Sequence, residues 1–174
     1  MIQNKTRNII LGVSAAIVIS QFLKRKKPNL SVDITEKPSI QNSNIYQMKV
    51  PQTKNFKLKE FESKDGSETP IALYGNIQRM MEQLEILRSH LGDNPIYITS
   101  GYRSPAHNKK VGGAARSQHL DAKAVDITVK GYSPFEVQRA ITYLMKEGLM
   151  QKGGLGIYKN FTHYDIGSPR SWIG

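Results

Sequence analysis

The chain has no cysteine. This excludes a disulfide framework and any thiolate metal site, so a metal held here must sit on nitrogen and oxygen donors. Acid is also scarce: 14 Asp and Glu stand against 25 Lys and Arg, a formal net charge of +11. The excess is uneven, because Lys5, Arg7, Lys24, Arg25, Lys26 and Lys27 lie in residues 1–30 with no acid among them, which leaves +5 for the remainder. A body so mildly basic, with no recognisable nucleic-acid motif, argues against nucleic acid as a partner and suits an anionic polymer. No internal repeat is present. With 39% hydrophobic and 22% charged residues in 174, the composition is that of one globular domain with an appendage.

No apolar run reaches the ~20 residues that cross a bilayer core as a helix. The longest is Ile9 to Leu23, and basic residues at both ends extend its reach by snorkelling. No small-x-small cleavage site follows it, only Phe22-Leu23 and four basic residues. Residues 1–30 therefore read as an uncleaved hydrophobic membrane anchor with basic flanks, with a cleaved signal or an interfacial helix as the alternatives. Lys24 to Lys27 outweigh Lys5 and Arg7, so the positive-inside rule places the body on the cytoplasmic side. Residues 31–53 are polar, carry Pro38 and Pro51 and show no period, which predicts a linker.

The folded body is expected over residues 54–174. Leu73, Ile77, Met80, Leu84, Leu87 and Leu91 recur at alternating steps of four and three, the stripe of one amphipathic helix, with Gly92 as its stop. Ile96 to Thr99 reads as a strand that empties into a long loop, Ser100 to Gln118, with no structure of its own. Val125 to Val129 reads as the next strand. Ser133-Pro134-Phe135-Glu136 is a capping box with proline at the first helical position, opening a helix on Val137, Ile141, Leu144 and Met145 that Gly148 can end. Leu155 to Tyr158 and Phe161 to Ile166 form a hairpin around Lys159-Asn160.

Chemistry concentrates near Ser117 to Asp126, where His119 and Asp126 lie seven positions apart. Strand alternation puts Phe161, His163 and Asp165 on one face. His119, Asp126 and His163 would make a two-imidazole, one-carboxylate zinc site with a fourth position open for catalysis. In that arrangement Asp165 is the candidate base and Arg103 a cationic fork for a substrate carboxylate or an oxyanion. Each residue also has an ordinary reading. His163 suits a half-buried structural histidine, and His119 a surface loop like His90 and His107. Asp126 could pair with Lys123, and Arg103 with a nearby acid. Tyr102, Tyr164 and Trp172 suit packing, although Trp172 also suits the rim of a groove.

Several blocks resemble one family in order and at matching spacings: Phe56-Lys57-Leu58-x-Glu60-Phe61, Ser100-Gly101-Tyr102-Arg103-Ser104-Pro105, Val111-Gly112-Gly113-Ala114, Ser117-x-His119 with Asp126-Ile127, and Phe161-Thr162-His163-Tyr164-Asp165-Ile166-Gly167-x-x-Arg170-x-Trp172. Over about residues 54–174 the chain resembles the zinc D-alanyl-D-alanine peptidases, nearest the branch of phage lysins and bacterial murein endopeptidases. The resemblance implies an α+β Hedgehog/DD-peptidase fold, a small and mostly antiparallel sheet covered by helices. It also implies zinc on His119, Asp126 and His163, Arg103 facing the substrate, and cleavage of an amide bond in peptidoglycan stems or cross-links. Ala122 stands where the family has glycine, and Asn160 where carboxypeptidase relatives carry a glutamate base.

A zinc-dependent peptidoglycan hydrolase, carboxypeptidase or endopeptidase, is the first expectation. A catalytically silent wall-binding or virion structural module of the same fold is the second. A wall enzyme needs its body outside the membrane, against the charge rule. A phage lysis or entry protein, anchored in a virion or host envelope, would reconcile the two.

Overall fold

The computed structural model describes residues 49–174. The expected anchor, and the expected linker up to residue 48, lie outside the described residues. Among those described, no helix is long and apolar enough to cross a membrane. The packed body reaches back slightly beyond its expected start: Pro51 is buried, and Glu85 accepts hydrogen bonds from the Thr53 hydroxyl at 2.6 Å and the Asn55 amide at 2.8 Å.

A short helix α1 (Leu58–Phe61) and a 3-10 turn (Ile71–Leu73) lead into the long helix α2 (Tyr74–His90). The expected stripe is buried from Ile77 on: Ile77, Met80, Leu84 and Leu87 are fully enclosed, joined by Met81, and Leu91 closes the end, while Leu73, its expected first member, lies half-buried in the preceding 3-10 turn. Each such side chain contributes about 1.5–3 kcal/mol by leaving water. Gly92 follows at φ +69°, the left-handed stop the pattern requires. The second long helix, α4 (Pro134–Lys146), opens on the expected capping box, in which the Glu136 amide donates to Ser133 Oγ at 3.3 Å and the Ser133 amide returns to Glu136 Oε2 at 2.7 Å.

Five strands make one mixed sheet in the order β1-β2-β4-β3-β5, with β1 (Ile96–Ser100), β2 (Ala124–Val129), β3 (Gly154–Ile157), β4 (Thr162–Asp165) and β5 (Arg170–Ile173). The pairs β1–β2, β2–β4 and β3–β4 are antiparallel; β3–β5 is parallel. Helix α4 packs on β2, β3 and β4 and against α2. Val125, Ile127, Val129, Leu155 and Tyr164 join that core, so alternation turns Asp126, His163 and Asp165 to the opposite face. The result is the expected α+β class with a mostly antiparallel sheet.

Two elements depart from the sequence reading. The loop after β1 is not structureless: it folds into α3 (Pro105–Lys110), capped by Ser104, whose hydroxyl accepts from the His107 amide at 3.0 Å and donates to Asp65 at 2.5 Å. Ser-Pro is a helix-start signal that this stretch already carried. The hydrogen bonds from Ser104, Ser63 and Ser67 hold the Asp65 carboxyl well below the usual carboxylate range. The other departure is β5, too short and polar to announce itself, which exists because β3 offers it a parallel edge.

Candidate metal centre

The site is a row across the sheet. Backbone register aligns Ser100 with Asp126, Asp126 with His163, His163 with Gly156, and Gly156 with Trp172. The neighbouring row runs Ala124, Asp165, Gly154, Arg170. The two glycines are structural necessities. A Cβ on Gly156 would sit 2.5 Å from the Trp172 ring, and one on Gly154 would collide with the Asp165 carboxylate and the Arg170 guanidinium. Their bareness lets β5 lay its long side chains over β3.

His119 reaches this row from the loop before β2. That loop turns at Ala122, which is 1% exposed and holds φ +53°. The position that raised the question of glycine does need a positive φ, and alanine adopts it at about 1–2 kcal/mol of backbone strain. His119 is 2% exposed and not a surface residue. Its Nδ1–H donates to the Gly101 carbonyl at 2.6 Å. Nε2 lies 3.3 Å from Asp126 Oδ1 and, among the described residues, has no well-aligned hydrogen-bond partner in the buried interior.

The other two donors meet it. His163 Nδ1 stands 2.8 Å from Asp126 Oδ1, while its Nε2–H donates to Asp165 Oδ2 at 3.0 Å. One donor atom from each of His119, Asp126 and His163 lies within 4.8 Å of the others. Tetrahedral zinc with bonds near 2.0–2.1 Å separates its ligands by about 3.3 Å, so these spacings fit a small divalent ion. An unpartnered buried imidazole nitrogen aimed at a carboxylate is the arrangement a metal would satisfy. Both imidazoles have their outer N–H engaged, the support that fixes tautomer and ring orientation in metal sites. Burial works against charge on Asp126, but the flanking imidazoles outweigh it and hold the carboxyl well below its usual range. Burial likewise opposes protonation of His163, and the two carboxylates at its ring nitrogens raise its pKa regardless.

Position bears on two roles expected from sequence. Asp165 does not face the donor cluster; it lies behind His163, fully buried. Its Oδ1 accepts from the amides of Gly154 and Gly167 and from Arg170, and its Oδ2 from His163 and, at 2.6 Å, from Arg170 Nη2. Burial pushes its pKa up, but the bonds from His163, Arg170 and Gly167 prevail and bring it down to about 2. A carboxylate so engaged is a poor proton acceptor. Arg103 lines the cleft but turns two of its nitrogens inward, Nη2 on Asp126 Oδ2 at 2.6 Å and Nε on Ser100 Oγ at 2.9 Å. Asp126 is thus not paired with Lys123, which instead approaches Asp121 at 3.6 Å.

The donors form the floor of an open cleft of about 1030 Å³. One wall is the loop Val111–Gln118; the other is Tyr158, Phe161, Trp172 and Arg170. Trp172 lies 5.1 Å from the His163 ring and donates its indole N–H to Tyr158 at 2.9 Å, while Tyr158 stacks on Phe161 at 4.4 Å. Asp126 is the one carboxylate among the described residues lining the cleft, and Asn160 is exposed and not part of it. The cleft residues that the pattern did not single out, Tyr158, Arg116 and Arg170, carry one legible signal: Arg170 and Trp172 alternate, which places them on one face of β5.

A family model described as peptidase M15 matches residues 52–165, more than half of the chain. The chain belongs to the peptidase M15 family. It is 40% identical over 47 residues to the zinc D-Ala-D-Ala carboxypeptidase of Streptomyces albus G, a stretch covering 27% of this chain and 18% of that one. It is 33% identical over 86 residues to the probable peptidoglycan L,D-endopeptidase MepK of Haemophilus influenzae, covering 45% of this chain and 43% of that relative. The chain thus spans less than half the length of either curated relative. The matched family segment contains His119, Asp126, His163 and Asp165 and stops before β5.

Proposed function

We propose that this M15 peptidase is a zinc-dependent hydrolase of amide bonds in the peptide stems or cross-links of peptidoglycan. The observation that carries the reading is the convergence of three buried donors, His119 Nε2, Asp126 Oδ1 and His163 Nδ1, on the floor of an open cleft. The relatives named for zinc and for peptidoglycan supply the metal and the polymer. Zinc in such a place supplies a Lewis acid that polarises a carbonyl and lowers the pKa of water toward ~7. The chain's own residues keep that place in order. Arg103 holds the outer oxygen of Asp126, and Gly101 holds His119 by its Nδ1–H. Asp165, itself fixed by Arg170, holds His163, so it is a positioning residue rather than the base. Trp172, Tyr158 and Phe161 supply a flat apolar wall against which a peptide stem can lie. The apolar segment Ile9 to Leu23 fits a membrane tether, and a phage lysis or entry role reconciles such a tether with its inward-favouring charge.

Zinc content and digestion of cross-linked and pentapeptide muropeptides test the reading. The wild type is expected to hold one zinc and release fragments, and His119→Ala to do neither. Full zinc occupancy with no cleavage of any stem overturns it.

One observation favours a second reading, a silent wall-binding module: among the described residues no carboxylate besides Asp126 lines the cleft to take a proton from water. Retention on purified sacculi without release of soluble fragments would establish that alternative.

A further inference from the structure

Three guanidinium groups line the cleft. Arg103 and Arg170 are each committed to a buried carboxylate at 2.6 Å, Asp126 and Asp165 respectively. Arg116 is exposed and enters no ion pair among the described residues. Its backbone is nevertheless fixed. The Ala114 carbonyl accepts from both Asn108 Nδ2 and the Ser117 amide at 3.0 Å, and the Gly113 amide donates to the Asn108 carbonyl at 2.8 Å. These bonds pin the loop on either side of Arg116, three residues before His119. Among the described residues the cleft therefore presents one guanidinium whose charge no side chain answers, mounted on a hydrogen-bonded loop beside the metal donors.

We infer that Arg116 is the anion-recognising residue of the cleft, and that it takes a carboxylate of the peptide stem close to the scissile amide. The inference rests on the peptidase reading and deepens it, because Arg103, the cation first assigned to that task, already has its charge answered by Asp126. A guanidinium offers a planar fork that matches a carboxylate through two parallel hydrogen bonds, where an ammonium offers a point charge. Two carboxylates of a stem peptide qualify: the terminal α-carboxylate of the leaving residue, and a side-chain carboxylate next to the cleaved bond.

The test is a kinetic comparison of zinc-loaded wild type, Arg116→Ala and Arg116→Lys. The substrates are a stem peptide with both carboxylates free and two versions in which one or the other is amidated. Wild type is expected to prefer the free acid by roughly 10- to 100-fold in kcat/KM, carried mainly by KM. Arg116→Ala brings the ratio near one and Arg116→Lys keeps part of it. Whichever amidation erases the preference identifies the carboxylate. A wild type indifferent to both amidations, or an Arg116→Ala enzyme that keeps the preference, overturns the inference. Zinc content and thermal midpoint of each variant report its folding independently. If wild type cleaves no peptide, the peptidase reading falls, and the same inert peptides are titrated by calorimetry. A roughly 10-fold or larger loss of affinity in Arg116→Ala, for the free acid alone, then still supports Arg116, and equal affinities overturn it.

Discussion

The two faces of the sheet are held together by different rules. On the helix side, Ile77, Leu84, Leu87, Ile127 and Ile141 are buried because they are apolar, and a residue of similar volume would serve nearly as well. On the cleft side, His119, Asp126, His163 and Asp165 are equally buried, yet each is tolerable only through a named partner. Remove Arg170 and Asp165 is a buried charge held only by His163 and two backbone amides; remove Asp165 and His163 loses the group that orients it. The first face is specified by size, the second by a chain of hydrogen bonds in which every member depends on the next.

That contrast can be broken by experiment, beginning with the largest effect. His119→Ala takes away a donor, and the expected outcome is loss of bound metal and a fall in kcat/KM of about 10³-fold or more. Leu84→Ala acts on the other face. It is expected to cost about 2–5 kcal/mol of stability in a denaturant titration while leaving metal affinity at wild-type level. Asp165→Asn keeps the shape but weakens the hold on His163, and competition against a chelator is expected to give a 10- to 100-fold loss of metal affinity. Equal effects of Leu84→Ala and Asp165→Asn on metal affinity would erase the distinction between the faces.

Smaller effects sharpen it. Burial works against the charge on Glu85, but hydrogen bonds from Thr53 and Asn55 outweigh it and depress its pKa below the ordinary glutamate value. A depressed folded pKa contributes stability that is present above the unfolded value and lost as pH falls through the folded one. Glu85→Gln is therefore expected to flatten the acid limb of a stability profile below about pH 4.3 without touching the metal site. Ala122→Gly is the smallest: relief of left-handed strain and loss of a buried methyl nearly cancel, leaving stability within about 0.5 kcal/mol of wild type by calorimetry.

What could be read from the sequence follows the same division. The stripe of α2 from Ile77 on and the capping box of α4 are local patterns, and they appear in the structure at the expected residues. The donors His119, Asp126 and His163 were also legible, through a short loop spacing and strand alternation. What each polar group bonds to was not. Asp165 lies two residues from His163 and shares its face, but spacing does not say which imidazole nitrogen it meets, and that decides between a base and a support. The register that sets Arg170 beside Asp165 and Arg103 within reach of Asp126 comes from strands distant in sequence, so no window on the chain contains it. Ser104-Pro105 was a readable helix start that the expectation of a long loop obscured.

The parallel pairing of β5 with β3 makes the centre lean on one short strand. That strand supplies Arg170, which clamps Asp165 at 2.6 Å, and Trp172, which lies 5.1 Å from the His163 ring. Without β5 seated on β3, His163 rests against a carboxylate with no arginine to hold it. The geometry of the centre thus hangs on the seating of a strand of four residues.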